Sequence, residues 1–252
     1  KGSELGGLAS LISKIPAKNR LADFPHYLMH RAEQLENLYI FTNTEGTPEN
    51  IRKFHPNIIV SSTGSAPLLP PIAGLKDRID NEDYNIYSIL GMINHINDFP
   101  KDLEGKKVVV VGGGAVGLDV VEFFADRNAD ISIVEMMDQI GRDLDPVSKN
   151  DTKAMMKKHN VHQLTKTALL EVKDSSFLVK GDGEPYEIPF EYGFVCLGMR
   201  AQGQLYQSLA EEFSSEDVEI MNIGDSQRAR RIIDGTQEGR NILTILEQRG
   251  YL

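Results

Sequence analysis

Hydrophobic residues are most concentrated in a run of four valines near the middle of the chain. Val108–Val111 contain no polar interruption, which is typical of a strand buried on both faces of a parallel sheet. A glycine-rich stretch over residues 112–117 follows at once, and the apolar density of residues 118–125 predicts a helix. Residues 131–135 then predict a second strand. The pattern is therefore strand, glycine loop, helix and strand, a βαβ unit.

The glycine-rich stretch has the spacing G-x-G-x-x-G. Gly112 would permit the tight turn, Gly114 would let a pyrophosphate approach the backbone, and Gly117 would let helix and strand pack closely. Ala115 and Val116 would then lie at the helix N-terminus, which favours phosphate charge. A glycine turn that binds nothing is the alternative, since any tight strand-to-helix turn needs glycines.

An acidic residue ends the second predicted strand. Glu135 lies 23 positions after Gly112, close to the roughly 20 expected for an acid that binds the adenosine ribose. A carboxylate there accepts hydrogen bonds from ribose hydroxyls and repels a 2′-phosphate, and Met136 and Met137 supply no cation. The sequence therefore favours NAD(H) over NADP(H), although the nearby Arg142 keeps NADP(H) open.

Two other predicted strands run into small-residue turns, one at Gly64 and one at Gly198. The first turn would let a cofactor approach, with a simple glycine turn as the alternative. A third strand delivers Asp225 at its C-terminal end, where open α/β sheets bind ligands. A helix N-cap is the competing interpretation of Asp225.

The periodicity of the remaining chain predicts further helices and strands. Thr47 is a candidate N-cap for a short helix that follows it. The other predictions are an amphipathic helix over 25–38 that packs on a sheet, a strand over 39–42, a helix over 146–158, and antiparallel strands over 167–172, 176–180 and 187–190.

Length and charge restrict the class of protein. The 252 residues are enough for one large or two modest domains, and the net charge of -10 argues against binding to nucleic acid or to anionic membranes. The sequence has no run approaching the roughly 20 apolar residues of a membrane span. We expect neither a nucleic-acid partner nor a membrane association.

The single cysteine, Cys196, excludes a disulfide framework and a C-x-x-C pair within this sequence, and it favours a cytoplasmic location. Its place in an apolar strand predicts a small core residue. His159 and His162 have the spacing of a possible metal pair, but no nearby carboxylate or cysteine completes a site. We therefore expect solvent-exposed histidines and no metal.

Together, these motifs resemble the flavoproteins with two dinucleotide-binding domains, of the pyridine nucleotide-disulfide reductase type. In that architecture an NAD(P)H domain interrupts an FAD domain. Gly6 and Gly7 resemble the glycine loop after the first βαβ unit of the FAD domain. The turns at Gly64 and Gly198 resemble those that lead into and out of the NAD domain.

The C-terminal motifs narrow the resemblance. Gly224 and Asp225 resemble the motif whose aspartate binds the ribityl chain of FAD. With residues 230–234 and 238–239, they are most similar to old-yellow-enzyme-type NADH:flavin oxidoreductases, whose relatives include 2-enoate reductase, 2,4-dienoyl-CoA reductase and trimethylamine dehydrogenase. This resemblance implies an N-terminal FMN-binding TIM barrel with an iron–sulfur cluster. The present sequence lacks the barrel and the cluster. It also lacks the first G-x-G-x-x-G of the FAD domain and the cysteine pair of dithiol reductases.

The expected fold is α/β, with a Rossmann-like NAD(P)-binding domain inserted in an incomplete FAD-binding Rossmann-like domain. The expected boundaries are residues 1–103 for the first FAD-domain part and connector, 104–200 for the NAD(P)H domain, and 201–252 for the return segment. No catalytic side chain is predicted.

The resemblance implies that the parent enzyme passes hydride from NADH to FAD and reduces an enoate or enoyl-type substrate. The isolated chain is expected to be inactive or weakly active. One alternative is a non-catalytic module that binds ADP or NAD in a structural or regulatory role. Another is a stand-alone NADH oxidase or ferredoxin-type reductase.

Overall fold

The computed structural model describes residues 2–251. Lys1 and Leu252, which begin and end the predicted domains, lie outside the described residues. The described residues form two compact units. We call residues 2–13, 19–66 and 199–251 the outer unit, and residues 14–18 and 67–198 the inserted unit.

The chain before residue 68 forms short elements: α1 (Gly7–Ile12), a 3-10 helix (Pro16–Ala22), α2 (Asp23–Glu33), α3 (Pro48–Arg52), β1 (Ile58–Ser61) and β2 (Ser65–Pro67). The inserted unit continues with α4 (Leu75–Arg78), β3 (Ile86–Tyr87), α5 (Ile89–Asn94), β4 (Lys107–Val111), α6 (Ala115–Ala125), β5 (Asp130–Val134), α7 (Pro146–Lys158), β6 (His162–Leu164), β7 (Ala168–Val172), β8 (Ser176–Lys180), β9 (Tyr186–Pro189) and β10 (Tyr192–Val195). The return to the outer unit adds β11 (Met199–Ala201), α8 (Gln204–Glu212), β12 (Glu219–Asn222), a 3-10 helix (Gly224–Ser226), α9 (Ile232–Arg240) and α10 (Ile242–Gln248).

A parallel sheet with the order β3-β10-β4-β5-β6 forms the centre of the inserted unit. The valine run lies in β4, between β10 and β5, with Val111 opposite Val195 on one side and Val134 on the other. All four valines are buried, and burial of each contributes about 1.5 kcal/mol or more. The predicted buried strand, crossover helix and second strand are confirmed.

The antiparallel sheet β7-β8-β9 supplies side chains to the core on one face of the parallel sheet. Val109 and Val111 belong to the same buried cluster as Val172, Phe177 and Val179. Since side chains alternate along a strand, the neighbouring valines of β4 face the opposite side. The predicted antiparallel strands are confirmed.

Aromatic rings fill the core on that opposite side. The ring centroids of Phe124 and Phe194 are 4.8 Å apart, and those of Phe99 and Phe124 are 5.1 Å apart. Phe123 and Phe124 pack edge to face. Such pairs stabilise a core by about 0.5–1.5 kcal/mol beyond the area they bury.

The outer unit contains a parallel pair, β1 and β12, with Ile59 opposite Ile220. Ile59 packs with Leu209 and Phe213 in a small core. Thr47 caps α3 by accepting a hydrogen bond from the amide of Asn50 at 3.2 Å, as predicted. A second pair joins β2 to β11.

Two sequence predictions in the outer unit are wrong. Residues 39–42 form no strand, because a strand needs a partner and their backbone joins no ladder among the described residues. The helix predicted over 25–38 is α2, which ends at Glu33, and within the described structure it buries no residue. Tyr27 is 58% exposed, so periodicity located the helix but not a packing partner.

The observed topology confirms the α/β class with a Rossmann-like parallel sheet. Pro67 is the last residue of the short strand β2. Proline is tolerated in short edge strands, since it leaves out only one backbone donor.

Candidate functional site

Glycines shape the loop between β4 and α6, and the physical reason for a glycine differs from one position to the next. Gly112 has a φ of 108°, a backbone conformation that residues with a side chain rarely adopt. A Cβ atom on Gly112 would lie 2.2 Å from the carbonyl oxygen of Cys196. A Cβ atom on Gly117 would lie 1.9 Å from the carbonyl oxygen of Gly112. The fold itself therefore requires both glycines.

Gly114 has no such requirement. Its φ of -79° and ψ of -178° are ordinary extended values that any residue adopts. A Cβ atom added to it would meet no described atom within 4 Å. The space in front of Gly114 is therefore open, which is the condition for a phosphate group to approach this backbone.

Helix α6 begins directly after Gly114 and spans 11 residues. Within the described residues, no side chain caps it, and its first turn carries no acidic residue. Ala115 and Val116 occupy the first two helical positions. Because the first amides of a helix lack intrahelical partners and carry the positive end of its dipole, this terminus favours an anion.

Glu135, directly after β5, holds the glycine loop. Its Oε2 accepts a hydrogen bond from the Gly113 amide at 2.6 Å, and its Oε1 accepts one from the Met137 amide at 2.7 Å. Its backbone carbonyl accepts from the Thr167 amide at 2.9 Å. The predicted ribose-binding acid thus lies beside the loop, with each carboxylate oxygen bonded to a backbone amide.

A cleft of about 610 Å³ lies in front of the loop, inside the inserted unit. The site residues that the sequence predicted here, other than Gly117, line it together. They are Gly112, Gly114, Ala115, Val116, Glu135 and Gly198. Gly117 lies behind the loop, against Gly112.

The cleft also includes residues that the sequence analysis did not assign to a binding site. Its other walls are Pro70, Ile72, Val111, Val134, Met136, Asp143, Thr167, Ala168, Leu169, Cys196 and Leu197. These residues come from separate segments, and their sequence pattern gave no sign that they share a wall. Arg142 is exposed and does not line the cleft.

Cys196 follows β10 directly and is buried, as a small core residue would be. Burial raises the pKa of its thiol to about 12. Since the thiolate is the nucleophilic form, Cys196 is chemically inert at neutral pH.

A charged cluster on α6 was not predicted. Lys18 Nζ lies 3.0 Å from Asp119 Oδ1 and 3.3 Å from Glu122 Oε2. Burial raises the pKa of the Asp119 carboxyl, and Lys18 opposes this rise. The cluster borders a cavity of about 390 Å³ that also reaches Ala115. Little in the sequence indicated this cluster, because Lys18 and Asp119 are 101 positions apart.

In the outer unit, Gly64 and Asp225 come together. Ser65 Oγ donates to Asp225 Oδ2 at 3.0 Å, and the Arg230 amide donates to Asp225 Oδ1 at 3.0 Å. Gly64 has a φ of 76°, and its Cβ position faces open space. The alternative N-cap role of Asp225 is wrong, since the N-cap residues of the two adjacent helices are Ile223 and Arg231.

A carboxylate also holds the Gly224 turn. Glu238 Oε2 accepts a hydrogen bond from the Gly224 amide at 2.6 Å, and Glu238 also pairs with Arg230. The bond from the Gly224 amide, with the help of Arg230, keeps the pKa of Glu238 below its ordinary value. This arrangement repeats the bond between Glu135 and Gly113.

Gly6 and Gly7 lie at the start of α1 with φ values of 97° and 51°. A Cβ atom on Gly6 would lie 1.9 Å from Ser10 Oγ, whereas one on Gly7 would face open space. Among the described residues, no hydrogen bond joins them to the Gly64 or Gly224 turns.

Within residues 2–251, no three His, Cys, Asp or Glu side chains are grouped as metal ligands. The Nε2 atom of His162 lies 3.5 Å from Oδ1 of Asp130. None of the described helices is both long and apolar enough to cross a membrane.

Residues 36–221 match the family described as pyridine nucleotide-disulphide oxidoreductase. The chain belongs to this family. Membership implies the use of FAD and NAD(P)H, and it confirms the resemblance predicted from the glycine motifs.

Relatives of this pyridine nucleotide-disulphide oxidoreductase domain include larger proteins. The chain is 25% identical to a metal reductase of Desulforamulus reducens, in an alignment that covers 96% of this chain and 39% of that protein. It is also 25% identical to an NADH oxidase of Thermoanaerobacter brockii, with 95% and 35% covered. The chain therefore spans little more than a third of these relatives.

Among solved structures, a complex of 2-naphthoyl-CoA reductase with 2-naphthoyl-CoA has the same fold. Its TM-score is 0.78 at 22% identity, and the match covers 95% of this chain and 34% of that chain. The neighbour is thus a larger chain in which the present fold forms one part.

We predict that Glu135→Ala destabilises this pyridine nucleotide-disulphide oxidoreductase domain even without a ligand. The substitution leaves the Gly113 and Met137 amides without their charged acceptor. The free energy of unfolding should fall by about 1.5–3 kcal/mol in denaturant titrations. Asp138→Ala is the matched control, because Asp138 is exposed on the same loop. Equal stability of both variants would show that the loop does not depend on these bonds.

We predict that Lys18→Met destabilises the protein in a pH-dependent way. A raised pKa for Asp119 means that the folded state is favoured when this carboxyl is protonated, and that this contribution is lost as the pH rises. Removing Lys18 raises that pKa further. The loss in unfolding free energy should be about 1–2 kcal/mol at about pH 7 and smaller at about pH 4.

The control for this measurement is Lys14→Met, an exposed lysine of the same segment. A loss from Lys18→Met that is the same at both pH values would contradict the role of the Asp119 charge.

Proposed function

We propose that the inserted unit binds NADH, and that the chain is the NADH- and FAD-associated portion of a flavin-dependent oxidoreductase. The observation that carries the proposal is the open space at Gly114, where the fold does not itself require a glycine. This space faces the start of α6 and the cleft. In the proposal, the pyrophosphate lies against Gly114, Ala115 and Val116.

The preference for NADH over NADPH rests on charge. The residues that line the cleft include Glu135 and Asp143, and the described lining contains no lysine, arginine or histidine. Arg142, which kept NADP(H) open in the sequence, does not line it. A 2′-phosphate would therefore bring negative charge to an acidic wall.

The residues for FAD fit only part of the group. Gly7 and Gly64 face open space, and Asp225 lies beside the Gly64 turn. The sequence contains one G-x-G-x-x-G, and it belongs to the inserted unit. We therefore propose Gly6, Gly7, Gly64, Gly224 and Asp225 as a partial FAD site. When bound, FAD would supply the acceptor for a hydride from NADH.

The domain division expected from the sequence, residues 1–103, 104–200 and 201–252, remains part of the proposal. So does a parent protein with an FMN-binding TIM barrel, an iron–sulfur cluster and an enoate or enoyl-type substrate. The larger size of the relatives supports additional domains. A cytoplasmic location stays a prediction.

We predict that Gly114→Val abolishes most NADH binding while the fold is retained. The Cβ atom of the added side chain lies in the space proposed for the pyrophosphate, with no described atom within 4 Å of it. Calorimetric titration with NADH should show at least a roughly tenfold loss of affinity, which corresponds to about 1.4 kcal/mol.

Gly183→Val is the control for this variant, because Gly183 also faces open space but lies in an exposed turn away from the cleft. Unfolding midpoints of both variants show that they fold. Equal NADH affinity for Gly114→Val and the unsubstituted protein would contradict the proposed pyrophosphate position.

We predict that the isolated chain is nearly colourless as purified and has little NADH-dependent dye reduction, although it binds NADH. The reason is that its FAD residues form only part of a site. The measurements are the visible absorption spectrum and a diaphorase assay with added FAD. A stoichiometric yellow flavin with rapid dye reduction would favour a stand-alone NADH oxidase. NADH binding without FAD binding, also when the chain is part of a longer parent protein, would favour the non-catalytic module.

A further inference from the structure

Two carboxylates lie on the wall of the cleft, but their bonding differs. Glu135 uses both oxygens to accept backbone amides, from Gly113 at 2.6 Å and from Met137 at 2.7 Å. Asp143 also lines the cleft. Within the described part of the chain, the Asp143 side chain forms no hydrogen bond or ion pair. Asp143 is therefore a second carboxylate on the wall, bonded to no described group, while each Glu135 oxygen keeps a further lone pair.

The loop that carries Asp143 is fixed at both ends. The Gly141 amide donates to the carbonyl oxygen of Gly113 at 2.7 Å, which ties this loop to the glycine loop. Two residues later in the chain, Asp145 accepts from the Val147 and Ser148 amides at 3.0 and 3.1 Å and caps α7. Asp143 lies between these two anchors, so its position on the wall is constrained by the backbone.

The same loop is in contact with the Glu135 side of the cleft. A Cβ atom on Gly113 would lie 3.0 Å from Glu135 Oε2 and 3.1 Å from Ile140 Cγ1. The glycine loop, the carboxylate of Glu135 and the start of the Asp143 loop are thus packed together. This is the side at which an acid after the second strand of such a unit reads the adenosine ribose.

No cation on the described cleft wall compensates these charges. The neighbouring Arg142 is exposed and off the wall, and its carbonyl oxygen is bonded by Lys149 Nζ at 3.4 Å. An uncompensated carboxylate accepts a hydrogen bond from a hydroxyl. It also repels a phosphate monoester, which carries about -1.5 to -2 charges at neutral pH.

We propose that Asp143 is a further residue that discriminates at the 2′-position of the adenosine ribose, an inference that rests on the proposed binding of NADH. Asp143 accepts a hydrogen bond from the 2′-hydroxyl of NADH and repels the 2′-phosphate of NADPH. Glu135 keeps the shape of the glycine loop and retains lone pairs for the ribose. Asp143 is thereby a second acidic residue for specificity, one that the sequence motif does not include.

The test compares Asp143→Asn with Asp138→Asn in the full 252-residue chain. Both variants remove one negative charge from the same loop, but Asp138 does not line the cleft. NADH and NADPH are titrated separately by calorimetry, at low and at moderate salt. For Asp143→Asn we expect the ratio of NADH affinity to NADPH affinity to fall by at least about tenfold, with a smaller change at higher salt. Asp138→Asn should leave this ratio within about twofold of the unsubstituted protein.

Each other outcome decides against the inference. An unchanged ratio for Asp143→Asn, in a chain that binds NADH, would overturn the role of Asp143 and leave the proposed function standing. Equal changes in the two variants would show a general charge effect and would also overturn it. If the unsubstituted chain binds neither nucleotide, the proposed function fails first. Asp143→Ser provides a second test of the same role if the asparagine variant does not fold.

Discussion

The structure of the candidate site depends on the close approach of three backbone segments. The end of β4, the start of α6 and the residue after β10 meet at Gly112, where a Cβ atom would lie 2.2 Å from the carbonyl oxygen of Cys196. Gly117 allows α6 to approach the same point from the other side. Because interiors are close-packed, a single extra carbon at either position would separate these segments. Their packing places the first amides of α6 at the cleft.

A second constraint is the use of carboxylates to fix glycine turns. Glu135 accepts the amide of Gly113, and Glu238 accepts the amide of Gly224, both at 2.6 Å. Glycine turns lose much conformational freedom on folding, so a charge-assisted hydrogen bond offsets part of that cost. The inserted and outer units therefore use the same local device, and an acid beside a glycine loop has a structural role before any ligand is considered.

Sequence patterns were most informative where local physics is decisive. The valine run, the glycine spacing and the alternating strands of the antiparallel sheet predicted elements that the structure contains. Patterns were less informative where a partner decides the outcome. The apolar residues 39–42 have strand propensity, but no neighbouring strand pairs with them among residues 2–251. The apolar face of α2 is periodic and yet exposed, since periodicity specifies a face and not what covers it.

The sequence by itself determined the βαβ unit and its glycine turn, because these follow from periodicity and backbone sterics, and the resemblance of its motifs indicated the family. Tertiary structure alone decided what each acid contacts. Glu135 was assigned to a ribose by its spacing, and folding also places an amide against each of its oxygens. No sequence motif pointed to Asp143, and the hydrogen bond between Gly141 and Gly113 holds its loop at the cleft wall. Hydrogen bonds between distant segments fix these roles, and spacing along the chain does not encode them.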